Sequence, residues 1–169
     1  MGNLYTVDGV TGNIVTAGSI SATGGIVGTA TNDNAAAGNV GEYIESVVTS
    51  AFSFAASNTW SDMTSISLTA GDWDVTFMAV SEANVSTWSA VVIGISPNSG
   101  NSSSGLATGN NKLVEQFASS STTPLALSCS IPNYRVSLAS TTTYYAKILS
   151  VYSAGTPAIS GRLVARRVR

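Results

Sequence analysis

Trp73-Asp-Val-Thr-Phe-Met-Ala-Val80 is the stretch that decides the fold. Its large apolar residues fall at alternate positions, so an extended chain places Trp73, Val75, Phe77 and Ala79 on one face. Residues i and i+2 of a strand share a face, which puts Asp72 and Asp74 together on the opposite side. A turn, Thr69-Ala-Gly-Asp72, leads into it. The same two-residue period recurs on both sides. Upstream lie Tyr43 to Val48, Ala51 to Ala55 with Phe52 and Phe54 on one face, and Met63 to Leu68. Downstream lie Thr87 to Ile95, Leu113 to Phe117, Leu125 to Ile131, Tyr134 to Leu138, Thr142 to Tyr152 and Ile159 to Val168. About ten short segments separated by turn clusters, with no helical period, predict an all-β chain. Their number over residues 40–169 predicts an antiparallel jelly-roll β-sandwich.

The composition agrees with a packed domain whose surface is unusual. Of 169 residues, 44% are apolar and only 9% charged, against a usual ~25% charged. Mean hydropathy is +0.25. Disordered chains combine low hydrophobicity with high net charge, and this chain has neither. Ser, Thr, Gly, Ala and Asn replace the missing charges, which suits a protein packed against copies of itself. Such surfaces hydrogen-bond at contacts without burying ions.

Net charge is −2, but the signs are segregated. Every acid except Glu115 precedes Ala83, and every base follows Asn111. Arg162, Arg166, Arg167 and Arg169 crowd the C-terminal end. A basic tail can serve nucleic acid. These arginines instead interrupt an alternating apolar pattern, so the expectation is a final strand paired with acids of the same or a neighbouring subunit, and no nucleic-acid partner. Cys129, the only cysteine, sits in an apolar run and reads as a buried structural thiol. The longest apolar run, Ala90 to Ile95, is too short to cross a bilayer, and no membrane partner is expected.

Residues 1–30 have a period of their own. Gly12, Gly18 and Gly24 recur every six residues, and Ile14, Ile20 and Ile26 keep the same step. Hexad repeats are typical of β-helices, in which the Ile points at the axis and the Gly turns the corner. Such units need stacked neighbours to bury their apolar side. One chain has too few hexads to supply them, whereas three intertwined chains have enough. The alternative is a flexible leader with an accidental period. The expected organisation is a hexad-repeat stalk over 1–30, a linker over 31–39 and a sandwich head over 40–169, in a homotrimer whose stalk is built on those three Gly and three Ile residues.

The residue types needed for most catalysis are missing. There is no histidine, so neither a Ser-His-Asp nor a Cys-His site can form. No phosphate-cradling glycine loop occurs, and no cofactor or metal is expected. Asp33 among its Asn neighbours resembles only a fragment of a calcium loop and reads as part of a hinge. Asp72 and Asp74 around Trp73 leave a glycosidase as the one enzymatic alternative, and the expectation is that the chain is not an enzyme. Two Ser/Asn-rich loops stand out, Ser96 to Asn111 and Ser119 to Pro124. The first offers Asn98, Asn101, Ser103, Asn110 and Asn111 as candidate ligand contacts, or else it is a solvated connection.

The leader Leu4-Tyr-Thr-Val-Asp-Gly-Val-Thr-Gly-Asn-Ile-Val-Thr-Ala-Gly18 resembles the starts of tailed-bacteriophage fibre and head-decoration proteins. Gly28 to Tyr43 and Ser65 to Phe77 are similar to small phage virion proteins. The latter stretch, with Thr143-Tyr-Tyr-Ala146 and Gly161 to Val168, also resembles trimeric jelly rolls of the tumour-necrosis-factor-like type. The resemblance covers about half the chain and brings no catalytic residues with it. It implies a structural protein on the exterior of a virion, a trimeric head fibre or capsid decoration, with capsid or tail proteins as partners. The alternative is a receptor-binding tail fibre or fibre tip whose loops bind host surface polysaccharide.

Overall fold

The computed structural model describes residues 5–7, 9, 14–16, 33–82, 87–116, 127–155 and 157–169, with 5–7, 14–16, 51 and 82 by backbone only. The chain divides into two compact units, Met1–Asp33 and Asn34–Arg169. In the first unit, β1 (Tyr5–Val7) and β2 (Ile14–Thr16) pair antiparallel, with Val7 opposite Ile14. Of the predicted stalk residues, Ile14 opens β2; Gly12, Gly18, Ile20, Gly24 and Ile26 lie outside the described residues.

The second unit is built from strands throughout. These are β3 (Tyr43–Ser53), β4 (Ser61–Leu68), β5 (Gly71–Glu82), β6 (Trp88–Ser96), β7 (Lys112–Gln116), β8 (Leu127–Leu138), β9 (Thr142–Tyr152) and β10 (Ala158–Arg167). The first sheet has the order β3-β10-β5-β8 and the second β4-β9-β6-β7. Every pairing is antiparallel. The first strand of the unit lies beside the last, β4 beside β9, β5 beside β8, and β6 beside β7. This is one long hairpin rolled on itself so that its two arms alternate between sheets, which is the jelly roll.

The alternation that predicts the strands also fills the core. Trp73, Val75, Phe77 and Ala79 of β5 point inward, Ala79 at 2% exposure and the other three at 0%. Leu163 and Ala165 continue that layer from β10, and Cys129, Ile131 and Val136 from β8. The second sheet answers with Ile66 and Leu68, Ile93 and Ile95, and Tyr144, Ala146 and Ile148. Phe52 and Phe54 share a face as predicted and meet edge to face at 5.4 Å between ring centroids. The Cys129 thiol is buried, and desolvation, with the Glu115 charge adding, pushes its pKa up to about 11. It is therefore an inert part of the core.

Two strands each join segments that the sequence pattern separates. The segments Tyr43 to Val48 and Ala51 to Ala55 join into β3 across a register shift opposite Ile159 and Gly161. The described part of the segment Leu125 to Ile131, from Leu127 on, joins with Tyr134 to Leu138 into β8, where an extra residue bulges between the partners of Val75 and Phe77. Pro132 and Asn133 form that bulge, and Asn133 takes a left-handed backbone with φ of 48°. Proline is tolerated there because β8 is an edge strand and owes no hydrogen bond on its outer side.

Candidate functional site

The Ser/Asn-rich segment from Ser96 to Asn111 connects β6 to β7, and its anchor lies beneath it. Along β9, Tyr144, Ala146 and Ile148 point into the core, so Lys147 points to the outer face of the second sheet. That face is not open there, because Lys147 is 0% exposed. Its Nζ donates to Asp62 Oδ1 at 2.5 Å, Asn98 O at 3.0 Å and Gly100 O at 2.6 Å. An ammonium has three donors, and each is used. Asp62 lies opposite Lys147 in the β4–β9 register and takes a second bond, from Gly100 N at 2.7 Å. The loop is thus folded back over the sheet and fastened to an ion pair whose lysine is fully buried.

A second fastening holds the far end of the loop. Asn111 is 2% exposed. Its Nδ2 donates to Ile95 O at 2.9 Å and Gly105 O at 2.7 Å, and its Oδ1 accepts from Ala107 N at 2.8 Å. Ser96 Oγ donates to Ser104 O at 2.9 Å and accepts from Asn98 N at 3.1 Å. Leu106 packs where a side chain at position 94 would stand, 2.7 Å from the place of a Cβ, so Gly94 is what allows the loop to lie flat.

The predicted ligand contacts therefore separate into two groups. Asn98, Asn101, Ser103 and Asn110 are exposed on the braced loop. Asn111 is corrected from surface contact to internal brace, since its amide is spent within the loop. Nothing local distinguishes it from Asn110; its burial follows from the chain turning into β7 at that point. The second predicted loop, 119–124, lies outside the described residues.

A second ionic cluster lies where β10 finishes and β5 begins. Arg167 stands in the inward row of β10 with Leu163 and Ala165, at 5% exposure. Its Nε donates to Glu42 Oε2 at 2.9 Å, its Nη1 to Ala70 O at 2.7 Å and its Nη2 to Thr69 Oγ1. The guanidinium lies 4.3 Å from the centre of the Trp73 ring. Gly71, with φ of 134°, has no side chain to obstruct it; a Cβ there would collide with Arg167 Nη1. Gly38 N donates to the same Glu42 oxygen at 2.7 Å. That bond, opposed by burial and helped by Arg167, holds the Glu42 carboxyl below its ordinary pKa.

Asp72 is bridged by Arg135 at 3.1 Å and Arg169 at 2.7 Å, and its side chain is 3% exposed. The hydrogen bond from Ser137, with the two arginines adding, holds its pKa below the ordinary value. A general acid of a glycosidase needs the reverse shift. The expected pairing of the C-terminal arginines with acids is thus found for Arg167 and Arg169, with Arg167 on the inner rather than the outer side of its strand. Among the described residues no cluster of three or more metal-ligating side chains occurs, and no helix is long and apolar enough to cross a membrane.

No protein-family model matches the chain, and no curated protein does. Among solved structures, the crystal structure of the infectious bursal disease virus VP2 subviral particle aligns with 75% of the chain at 13% identity and a TM-score of 0.42. The chain spans about a third of that protein's length, 33%. A likeness at this level identifies neither a family nor a function.

Proposed function

We propose that this chain is a structural protein of a virion surface, a homotrimeric head fibre or capsid decoration of a tailed bacteriophage, in which a hexad stalk carries a jelly-roll head. The observation that carries the reading is the pairing of a jelly-roll unit with a separate N-terminal unit whose sequence repeats every six residues. The leader also resembles phage fibre and decoration proteins. A fold alone does not set function, and here the surface adds to it. The loop over the second sheet is polar, uncharged and braced from beneath by ions that belong to the architecture. Such a surface stays soluble while offering hydrogen bonds at many weak contacts. Gold-labelled antibodies raised against the chain, applied to purified particles of the parent phage, should decorate the particle exterior. Particles that lack the protein altogether would refute the reading.

A second reading is favoured by the exposure of Asn98, Asn101, Ser103 and Asn110 on one rigid support. In it the head is a tail-fibre tip, and these amides and hydroxyls bind host surface polysaccharide. Label at the fibre tip rather than on the capsid distinguishes it.

A further inference from the structure

The chain enters the sandwich through a strap, residues 34–40, that has little apolar hold on it. Val40 is 70% exposed, and of the strap residues only Ala35 is partly buried. Its hydrogen bonds are those of Asn39 N to Ala36 O and Glu42 N to Asn39 O, both 3.0 Å, and of Gly38 N to Glu42 Oε2 at 2.7 Å. Among the described residues none of these bonds reaches beyond Glu42. From Gly41 onward the backbone is fastened to the last strand. Gly41 N donates to Arg167 O and Arg167 N to Glu42 O, each at 2.9 Å.

We propose that Glu42 is an acid-sensitive latch, which holds residues 34–40 against the sandwich and lets them go when its carboxylate takes a proton. One oxygen, Oε2, joins the two sides: it accepts Gly38 N from the strap and Arg167 Nε from β10. Bonds to an ionised group are roughly twice as strong as neutral ones, so protonation weakens both together. Arg167 stays in place, because Ala70 O, Thr69 Oγ1 and the Trp73 ring still hold its guanidinium. The strap has no second anchor of that kind, so it frees while the pairing at Gly41 and Arg167 persists. Arg167 is the charged group that acts on the Glu42 carboxyl. From β5, Asp72 adjoins Trp73, the register partner of Arg167, and is itself paired with Arg135 of β8 and with Arg169. Tyr43 and Glu45, the titratable residues that follow Glu42, bond to each other. The Gly38 bond first, opposed by burial and helped by Arg167, keeps the Glu42 pKa below its ordinary value. A depressed carboxylate contributes fully above its unfolded pKa, and the contribution is lost as pH falls through the folded value. The strap therefore holds at neutral pH and frees below about pH 4.

The test is a nitroxide spin label on the full-length chain carrying Ala37→Cys, an exposed position in the strap. The native Cys129 is buried, with its pKa pushed up to about 11, and does not take the label. The label's spectrum and the near-ultraviolet circular dichroism of the buried Trp73 and Trp88 are followed together from neutral pH downward at room temperature. Slow motion is expected at neutral pH. Motion several-fold faster is expected below about pH 4, with native dichroism and with recovery on neutralisation. Glu42→Gln should give the fast spectrum already at neutral pH, and Asp72→Asn should keep the acid transition. A label that stays slow until the dichroism is lost overturns the latch, as does one that is already fast at neutral pH without the Glu42 substitution. An acid transition that persists in Glu42→Gln, or that disappears in Asp72→Asn, overturns Glu42 as its site. Should Glu42→Gln fail to fold, the titration of the chain with Glu42 intact decides.

Discussion

Lys147 shows how a single residue can decide what a loop does. At zero exposure, its charge is tolerable only because three oxygens receive its three protons. Two of those oxygens belong to the loop backbone, so loss of the ammonium releases the loop and leaves the Asp62 carboxylate without its counter-ion. Lys147→Met should cost about 2 kcal/mol, below the scale for a wholly buried pair because Asp62 is partly open to water. Urea unfolding would show this as a lower midpoint, and proteolysis should cut between Ser96 and Asn111 first. A midpoint unchanged from the parent chain would contradict the anchor. The sequence could not reveal this role. Lys147 sits in an alternating strand like any solvent-facing lysine, and its acid, Asp62, is 85 residues away. Trp73 and Phe77 were legible because burial follows from their own spacing. Asn111 was not, because its burial depends on where Ala107, Gly105 and Ile95 come to rest.

At the scale of elements, the strands follow from local alternation and their joints do not. Pro132 reads as a breaker, yet on the outer edge of β8 it needs no donor, and Asn133 takes the left-handed turn that lets the strand resume. The separate apolar runs on either side were correct, and their union was decided by the partner strand β5. The clasp between β10 and the segment entering β3 is of the same long-range kind. Glu42 and Asp72 both titrate below their ordinary values in the folded chain. A depressed carboxylate contributes stability that is present above its unfolded pKa, roughly 4, and that is lost as pH falls through the folded value. Thermal stability should therefore hold from neutrality down to about pH 5 and fall below about pH 4. In Glu42→Gln that acid-dependent loss should be smaller, from a lower starting point at neutral pH. Identical acid profiles for the two chains would rule out the clasp as a source of the dependence.

Over the whole molecule, the segregated charges acquire a physical meaning. A hairpin rolled into a jelly roll lays its N-terminal arm against its C-terminal arm, β3 on β10, β4 on β9 and β5 on β8. Acids early in the chain and bases late in it therefore meet across strand pairs or their ends: Glu42 with Arg167, Asp62 with Lys147, and Asp72 with Arg135 and Arg169. The sign pattern was visible in the sequence, but which acid meets which base required the roll. The same low charge leaves a loop of hydroxyls and amides over the second sheet, and the proposed trimer would set such polar, uncharged surfaces against one another. The measurement that tests this most directly is the solution mass of the full chain by light scattering. The account predicts about 52 kDa, three times the 17.2 kDa of one chain. A single species at the mass of one chain across the micromolar range would contradict it.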